Sequence, residues 1–155
     1  MLFTLKIPQL LKNCINTVWD FMSYYENLTL ITPKYIGLNI LADKENIKKN
    51  CSGQIIDYSI IPIIGIKIHW VTKITQVSNH HYFVDEQRFS RNAFWHHKHF
   101  IKEVTGAIKM TDILNYKVPI GFIGNIINTL FISHKIKEIF DYCFNKLEQI
   151  FNHEK

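Results

Sequence analysis

A clear alternation of apolar and polar residues between positions 64 and 75 is the feature that most constrains how this chain can fold. One face of an extended segment would carry Ile64, Ile66, Ile68, Trp70, Thr72 and Ile74. The opposite face would include Lys67, His69, Lys73 and Thr75. A period of two is typical of an antiparallel sheet with one face in water and the other against a core. Another element of the chain must therefore cover the apolar face.

Six further segments have the composition of strands. They are residues 1–7, 36–41, 53–61, 82–89, 94–104 and 107–118. We expect Pro8 to end the first, because proline has no N–H for a strand ladder. Pro62 with Gly65 predicts a hairpin, and Gly106 lies in a predicted turn between the last two strands. Hairpin connections favour an antiparallel sheet.

Two parts of the chain have the helical period of 3.6 residues instead. The first follows strand one and predicts two short helices, with apolar residues at Ile15, Val18, Trp19, Met22, Leu28 and Ile31. The second follows Gly121 and predicts one long amphipathic helix, with an apolar stripe of Ile123, Ile127, Leu130, Ile136, Ile139, Phe140, Cys143, Leu147, Ile150 and Phe151. Residues 121–132 are apolar nearly all round, and they predict either a loose lid or a continuous helix.

These elements predict one α+β domain over residues 1–155, in which a curved antiparallel sheet of seven strands wraps around the long C-terminal helix. Two short helices follow the first strand. A curved sheet that closes on a helix leaves an interior cavity. An apolar ligand would lie there.

Charge and cysteine content exclude some functions. The net charge is +5, but the basic residues are scattered, whereas a nucleic-acid binder concentrates them in one patch. We therefore expect no nucleic-acid partner, and at most a weak peripheral contact with an anionic membrane. Three cysteines without a CxxC spacing, and no signal peptide at the start, predict a reduced cytoplasmic protein. The stretch from Pro119 to Ile132 is too short for a membrane span.

Several polar residues fall on the side of the sheet that should be dry. His97 and His99 share a strand face, as do Asp85 and Gln87 on the preceding strand, and Asp112 joins them from the following strand. Buried together, they must satisfy one another, because an unpaired buried polar group costs about 1–3 kcal/mol. Three interpretations stay open: a structural network, recognition of a ligand head group, or acid–base chemistry by a His–Asp pair.

A metal site is a fourth interpretation that the sequence favours less. His97, His99 and Glu103 match the core spacing of the cupin metal motif. The motif's flanking glycines would fall at Arg91 and Met110, however, and no second half-motif follows. The chain also lacks a GxSxG elbow, a P-loop and a Rossmann glycine pattern. We therefore expect no metal and no cofactor.

Segments along nearly the whole chain carry a family resemblance. They are Val18-Trp19-Asp20-Phe21, residues 26–28 and 31–33, residues 53–58, Trp70, residues 83–87, residues 95–100, and residues 111–121. The chain resembles the helix-grip (SRPBCC) superfamily of START domains, Bet v 1-type allergens, polyketide cyclases and coenzyme-Q-binding proteins, and in particular a bacterial ligand-binding, polyketide-cyclase-like branch. It departs from this branch at Ser90-Arg91, where Gly-Pro is usual, and at Cys143, where arginine is usual. The resemblance implies the helix-grip fold and ligand binding, and no established catalytic residues.

Two functions follow as hypotheses. The first is binding of a hydrophobic small molecule, such as a lipid, quinone or polyketide-like compound, by a carrier or sensor. The alternative is an enzyme of the cyclase, dehydratase or hydrolase type, with His97, His99 and Asp112 as candidate catalytic residues. The sequence identifies no protein partner, although some relatives carry a cell-division label. The candidate ligand-binding residues are Tyr58, Trp70, Asp85, Gln87, Trp95, His97, His99, Asp112 and Tyr116.

Overall fold

The computed structural model describes residues 2–41, 49–61, 65–89, 94–117 and 126–152, and within these residues the fold consists of one sheet and three helices. The strands are β1 Leu2–Leu11, β2 Asn39–Ile40, β3 Ile55–Ile60, β4 Ile68–Ser78, β5 Tyr82–Phe89, β6 Phe94–Val104 and β7 Ala107–Lys117. The helices are α1 Ile15–Ser23, α2 Leu28–Ile31 and α3 Ile126–Phe151. Short 3₁₀ turns occupy Tyr25–Asn27 and Lys34–Ile36.

The seven strands form a single sheet in the order β1-β7-β6-β5-β4-β3-β2. Every neighbouring pair is antiparallel, and β6 and β7 pair along their whole length. This confirms the predicted sheet, the two short helices after β1 and the long C-terminal helix. Pairing of β1 with β7 places the N-terminal strand next to the strand that precedes α3.

The sequence predicted that Pro8 ends the first strand, and this prediction is wrong. Strand β1 continues to Leu11, and Pro8 lies opposite Thr111 of β7. The reason is the position of β1 at the edge of the sheet, where one row of N–H groups has no partner strand. An edge strand accommodates a proline that a central strand would not.

Strands β2 and β4 begin later in the chain than the sequence predicted. Only Asn39 and Ile40 of the segment 36–41 form a strand, since the 3₁₀ turn before them ends at Gly37 in the left-handed region, with φ of 56°. Strand β4 begins at Ile68, and Ile66 is 63% exposed rather than on the dry face. Ile64 lies outside the described residues.

Helix α3 covers the concave face of the sheet, with Ile136, Leu147 and Phe151 buried. Leu130 and Ile150, which the predicted stripe included, are 64% and 41% exposed. Residues 121–125 of the segment predicted as a lid or helix lie outside the described residues, and the helix is present from residue 126 onward. No helix in the described part of the chain combines the length and hydropathy needed to cross a bilayer.

Polar contacts fix the C-terminal half of α3 to β1. The Gln9 side chain donates to the Phe144 carbonyl at 2.9 Å. The Asn152 side chain accepts from the Lys12 N–H at 2.7 Å and donates to the Leu10 carbonyl at 3.0 Å. These bonds set the height of the helix above the sheet near the end where the core is dense.

The core divides into clusters rather than one continuous body. One cluster joins the C-terminal part of α3 to α1 and the sheet, and includes Leu11, Val18 and Phe151. A second cluster, farther along α3, contains Leu114 and Ile136. A third cluster is centred on β3 and β4, and its side chains line a cavity between the sheet and the helices.

Candidate functional site

A cavity of about 270 Å³ lies between the concave face of the sheet and the helices. Strands β3 to β7 supply its floor, the α1–α2 region supplies one wall, and Phe140 and Leu147 of α3 lie on the other side. Its surface is mainly aliphatic and aromatic. The predicted gap between sheet and helix is therefore present.

Most of the residues predicted to bind a ligand face this cavity. Those that line it are Tyr58, Trp70, Asp85, Trp95, His97, His99 and Asp112. Gln87 and Tyr116 do not line it. Tyr116 instead donates a hydrogen bond to Ser133 at 2.9 Å and stacks on Phe3. The sheet register thus gathers seven of the nine side chains on one wall.

Two imidazoles and two carboxylates, here called the His–Asp cluster, meet on three adjacent strands. Asp85 of β5 lies opposite His97 of β6, and His99 of β6 lies opposite Asp112 of β7. The two imidazoles point the same way because they are two residues apart in a strand. Their ring centroids are 3.8 Å apart. The cluster is therefore a direct product of the strand period and the register.

His99 lies between the two carboxylates. Its Nε2 is hydrogen-bonded to Oδ2 of Asp85 at 2.8 Å, and its Nδ1 lies 2.8 Å from Oδ1 of Asp112. His97 is placed similarly but at longer range, with Nδ1 3.7 Å from Asp85 and Nε2 3.3 Å from Asp112. The Asp112 contacts are close but not aligned as hydrogen bonds. The cluster thus retains hydrogen-bonding capacity that is not fully used.

Apolar rings surround the cluster and strengthen its electrostatics. Phe83 stacks on His99 with centroids 4.1 Å apart, and Phe140 meets His97 edge-on at 5.3 Å. The four side chains of the cluster are only 11–15% exposed. Charges in such surroundings interact more strongly than they do in water.

Burial and charge compete in setting the protonation of the cluster. Burial alone would lower the pKa of His99, but the attraction of Asp112 and Asp85 outweighs it and raises the pKa to about 9. Burial alone would likewise raise the pKa of Asp112, but His99 and His97 hold it well below its usual range. Near neutral pH, His99 is therefore protonated and Asp112 ionised.

The protein should lose stability as the pH rises from about 6.5 to 9. A folded-state pKa above the unfolded value of about 6.5 means that the His99 contribution is complete below pH 6.5 and is lost through pH 9. The loss expected from this group is on the order of 2–3 kcal/mol. Urea unfolding at a series of pH values, with EDTA present, measures it.

The variant Asp112→Asn is the control for this pH dependence, because it removes the charge opposite His99 and should flatten the decline. His97 and Asp85 also face His99 and stay unchanged in that variant. A free energy of unfolding that is constant between pH 6.5 and 9 would contradict a protonated His99.

A second His–acid pair on the same strands faces outward and offers a comparison. His96 Nδ1 lies 2.9 Å from Oε1 of Glu86, and these side chains are 23% and 27% exposed. Arg88 also contacts Glu86 at 3.2 Å. The chemistry of this pair resembles that of the inner cluster, but it does not line the cavity.

Sequence reasoning missed the wall formed by α1, α2 and the turn between them. Tyr25 and Ile31 line the cavity, although the sequence pattern marked Ile31 only as an apolar helix position and did not mark Tyr25. Cys143 lines it from α3, and burial raises the pKa of its thiol to about 12. Burial, followed by the charge of Asp85, raises the pKa of Tyr58 well above its usual range, so that its hydroxyl stays protonated. The helical periodicity predicted burial of Ile31 and Cys143, but it did not predict an empty space beside them.

Comparison with known proteins identifies the fold. No protein-family model and no curated protein matches the chain. Among solved structures, protein CV1439 from Chromobacterium violaceum has a TM-score of 0.68 at 8% identity, over 97% of this chain and 98% of the other. Protein Ms6760 from Mycobacterium smegmatis has a TM-score of 0.66 at 15% identity, over 95% and 89%. The Bet v 1-type allergen Ara h 8.0201 has a TM-score of 0.62 at 11% identity, over 97% of both chains. The chain therefore has the Bet v 1-like helix-grip fold.

Proposed function

We propose that this protein binds an apolar small molecule in its interior cavity and acts as a carrier or sensor. The observation that carries the proposal is the cavity of about 270 Å³, with aliphatic and aromatic walls and one polar cluster. Sites for small molecules are typically concave and apolar, with a few convergent polar groups that orient the ligand. The resemblance to a superfamily of ligand-binding proteins supports the same function.

The polar cluster favours some head groups over others. Asp85 and Asp112 bring two carboxylates to the wall, and no lysine or arginine is among the described residues that line the cavity. A ligand carboxylate would meet like charge in a site of low dielectric, which is costly. A neutral hydroxyl or carbonyl, or an amine, can instead use the free hydrogen-bonding capacity of the cluster. A lipid alcohol, quinone or phenolic polyketide fits these walls better than a fatty acid does.

The experiment compares alkyl alcohols and alkyl carboxylates of equal chain length. Binding is measured by displacement of an environment-sensitive fluorophore from the purified protein. We expect the alcohol to bind at least tenfold more tightly, a difference of about 1.4 kcal/mol. The variant Asp85→Asn should narrow this preference. Absence of binding by any apolar compound in a broad panel would overturn the proposal.

An enzyme is the second candidate function, and the His–Asp cluster is the observation that favours it. A carboxylate beside an imidazole fixes its tautomer and raises its basicity, as general acid–base catalysis requires. Recovery of the bound ligand after a long incubation with the protein separates the two functions. A ligand recovered unchanged after long incubation supports a carrier or sensor, and a converted ligand supports the cyclase, dehydratase or hydrolase alternative. Cytoplasmic location and weak contact with an anionic membrane stay predictions.

A further inference from the structure

Three side chains of the His–Asp cluster are arranged as ligands of a metal ion. One donor atom from each of Asp85, His97 and His99 lies within 4.8 Å of the other two. Asp85 Oδ2 is 2.8 Å from Nε2 of His99 and 3.7 Å from Nδ1 of His97. Two donors bound 2.0–2.2 Å from one ion are about 3.0–3.5 Å apart in tetrahedral or octahedral geometry. Small side-chain adjustments, together with release of the proton on Nε2 of His99, would therefore bring all three onto one ion.

The fourth member of the cluster lies where a supporting residue of a metal site is expected. The ring nitrogens that face away from Asp85 are Nδ1 of His99 and Nε2 of His97, and they lie 2.8 Å and 3.3 Å from Oδ1 of Asp112. In metal sites, a ligating histidine usually donates its other ring N–H to a carboxylate, which fixes the tautomer and the ring orientation. One aspartate oxygen lies close enough to both imidazoles here to take this role after a small side-chain rotation.

We propose that Asp85, His97 and His99 form a binding site for a divalent transition-metal ion such as Zn²⁺, Co²⁺ or Fe²⁺, with Asp112 as the residue that positions both imidazoles. Two imidazoles and one carboxylate are donors that suit these ions. Three protein ligands leave at least one coordination position open, as in catalytic rather than structural sites. Because all three residues line the cavity, that position faces the space where a ligand would lie.

The cupin-like spacing in the sequence did not lead to this site, and the structure shows why. Glu103, the acidic residue of that spacing, is exposed near the far end of β6. Asp85 of the neighbouring strand supplies the carboxylate instead, because it lies opposite His97 in the register. The site is therefore assembled across two strands, which no spacing along one strand can reveal.

The test is metal binding by the untagged protein, first treated with a chelator and then dialysed against Zn²⁺ or Co²⁺. We expect one tightly bound ion per chain, and with Co²⁺ a visible absorption typical of low-symmetry coordination by nitrogen and oxygen. Asp85→Ala, and the double variant His97→Ala with His99→Ala, should each weaken binding at least 100-fold. Asp112→Asn should weaken it by about 10- to 100-fold without abolishing it.

The matched control is His96→Ala, on the same strand but on the outer face, and it should change the affinity less than twofold. Thermal unfolding followed by circular dichroism verifies that each variant is folded. If Asp85→Ala does not fold, the isosteric Asp85→Asn replaces it, with the same weakening expected. Lack of tight binding by the wild-type protein, or an affinity as insensitive to Asp85 and His97 as to His96, would show that the cluster is an ion-pair network only. This inference does not depend on the identity of the apolar ligand.

Discussion

Replacing Asp112 with alanine should lower the free energy of unfolding by about 3–5 kcal/mol, which is typical for removal of one partner of a buried ion pair. Asp112 is only 14% exposed and lies 2.8 Å from His99 and 3.3 Å from His97. Without it, His99 must either stay charged beside Asp85 alone or lose its proton. Both outcomes remove the attraction of Asp112, which contributes more than that of Asp85 to raising the pKa of His99. Urea unfolding at pH 6 measures the loss.

The outward-facing pair supplies the control for this prediction. Glu86→Ala removes a carboxylate that contacts His96 at 2.9 Å, but both side chains are about a quarter exposed. Solvent compensates such a loss, and we expect a cost of at most about 1 kcal/mol. Equal costs for Asp112→Ala and Glu86→Ala would mean that burial adds nothing to the inner cluster. The fold would then not depend on the cluster.

The sequence could predict that the four side chains of the His–Asp cluster lie together, because this depends on the strand period and on the order of the strands. A period of two places His97 and His99 on one strand face, and consecutive hairpins make β5, β6 and β7 neighbours. Asp85 and Asp112 then reach the same face from either side. The register then determines the individual neighbours, since Asp85 pairs with His97 and His99 pairs with Asp112.

Features that depend on distant parts of the chain could not be predicted in this way. Pro8 lies within a strand because β1 is an edge strand of the sheet, and this position follows only from its pairing with the distant strand β7. Leu130 belongs to the apolar pattern of α3 but is 64% exposed, because the period does not tell how far along the helix the sheet extends. The division of ring nitrogens between Asp85 and Asp112 likewise requires coordinates.

The presence of a cavity could be inferred from the predicted fold. The helical residues that line it could not be inferred. Sequence patterns treat Ile31 and Leu147 alike, as apolar positions that need burial. Leu147 packs in the dense cluster and also lines the cavity, whereas Leu11 packs without reaching it. Whether an apolar side chain meets another side chain or open space is a matter of a few ångströms in helix placement. The hydrogen bonds from Gln9 and Asn152 set that distance.

Filling the cavity should weaken ligand binding more than removing any one contact does. Ile139 lines the cavity from α3 and is only half-buried, so the larger ring of Ile139→Trp has room to enter the open space instead of the packed clusters. Overlap with a ligand costs about 1–3 kcal/mol, and we therefore expect the fluorophore and the alkyl alcohols to bind about tenfold more weakly or worse. The control is Lys137→Trp in the same helix, where the native side chain is 62% exposed and the added ring stays in solvent. The affinity of each variant for the fluorophore is measured by titration at equal concentrations of folded protein. Similar weakening in both variants would point to a surface effect. Unchanged binding in Ile139→Trp would place the ligand outside this cavity.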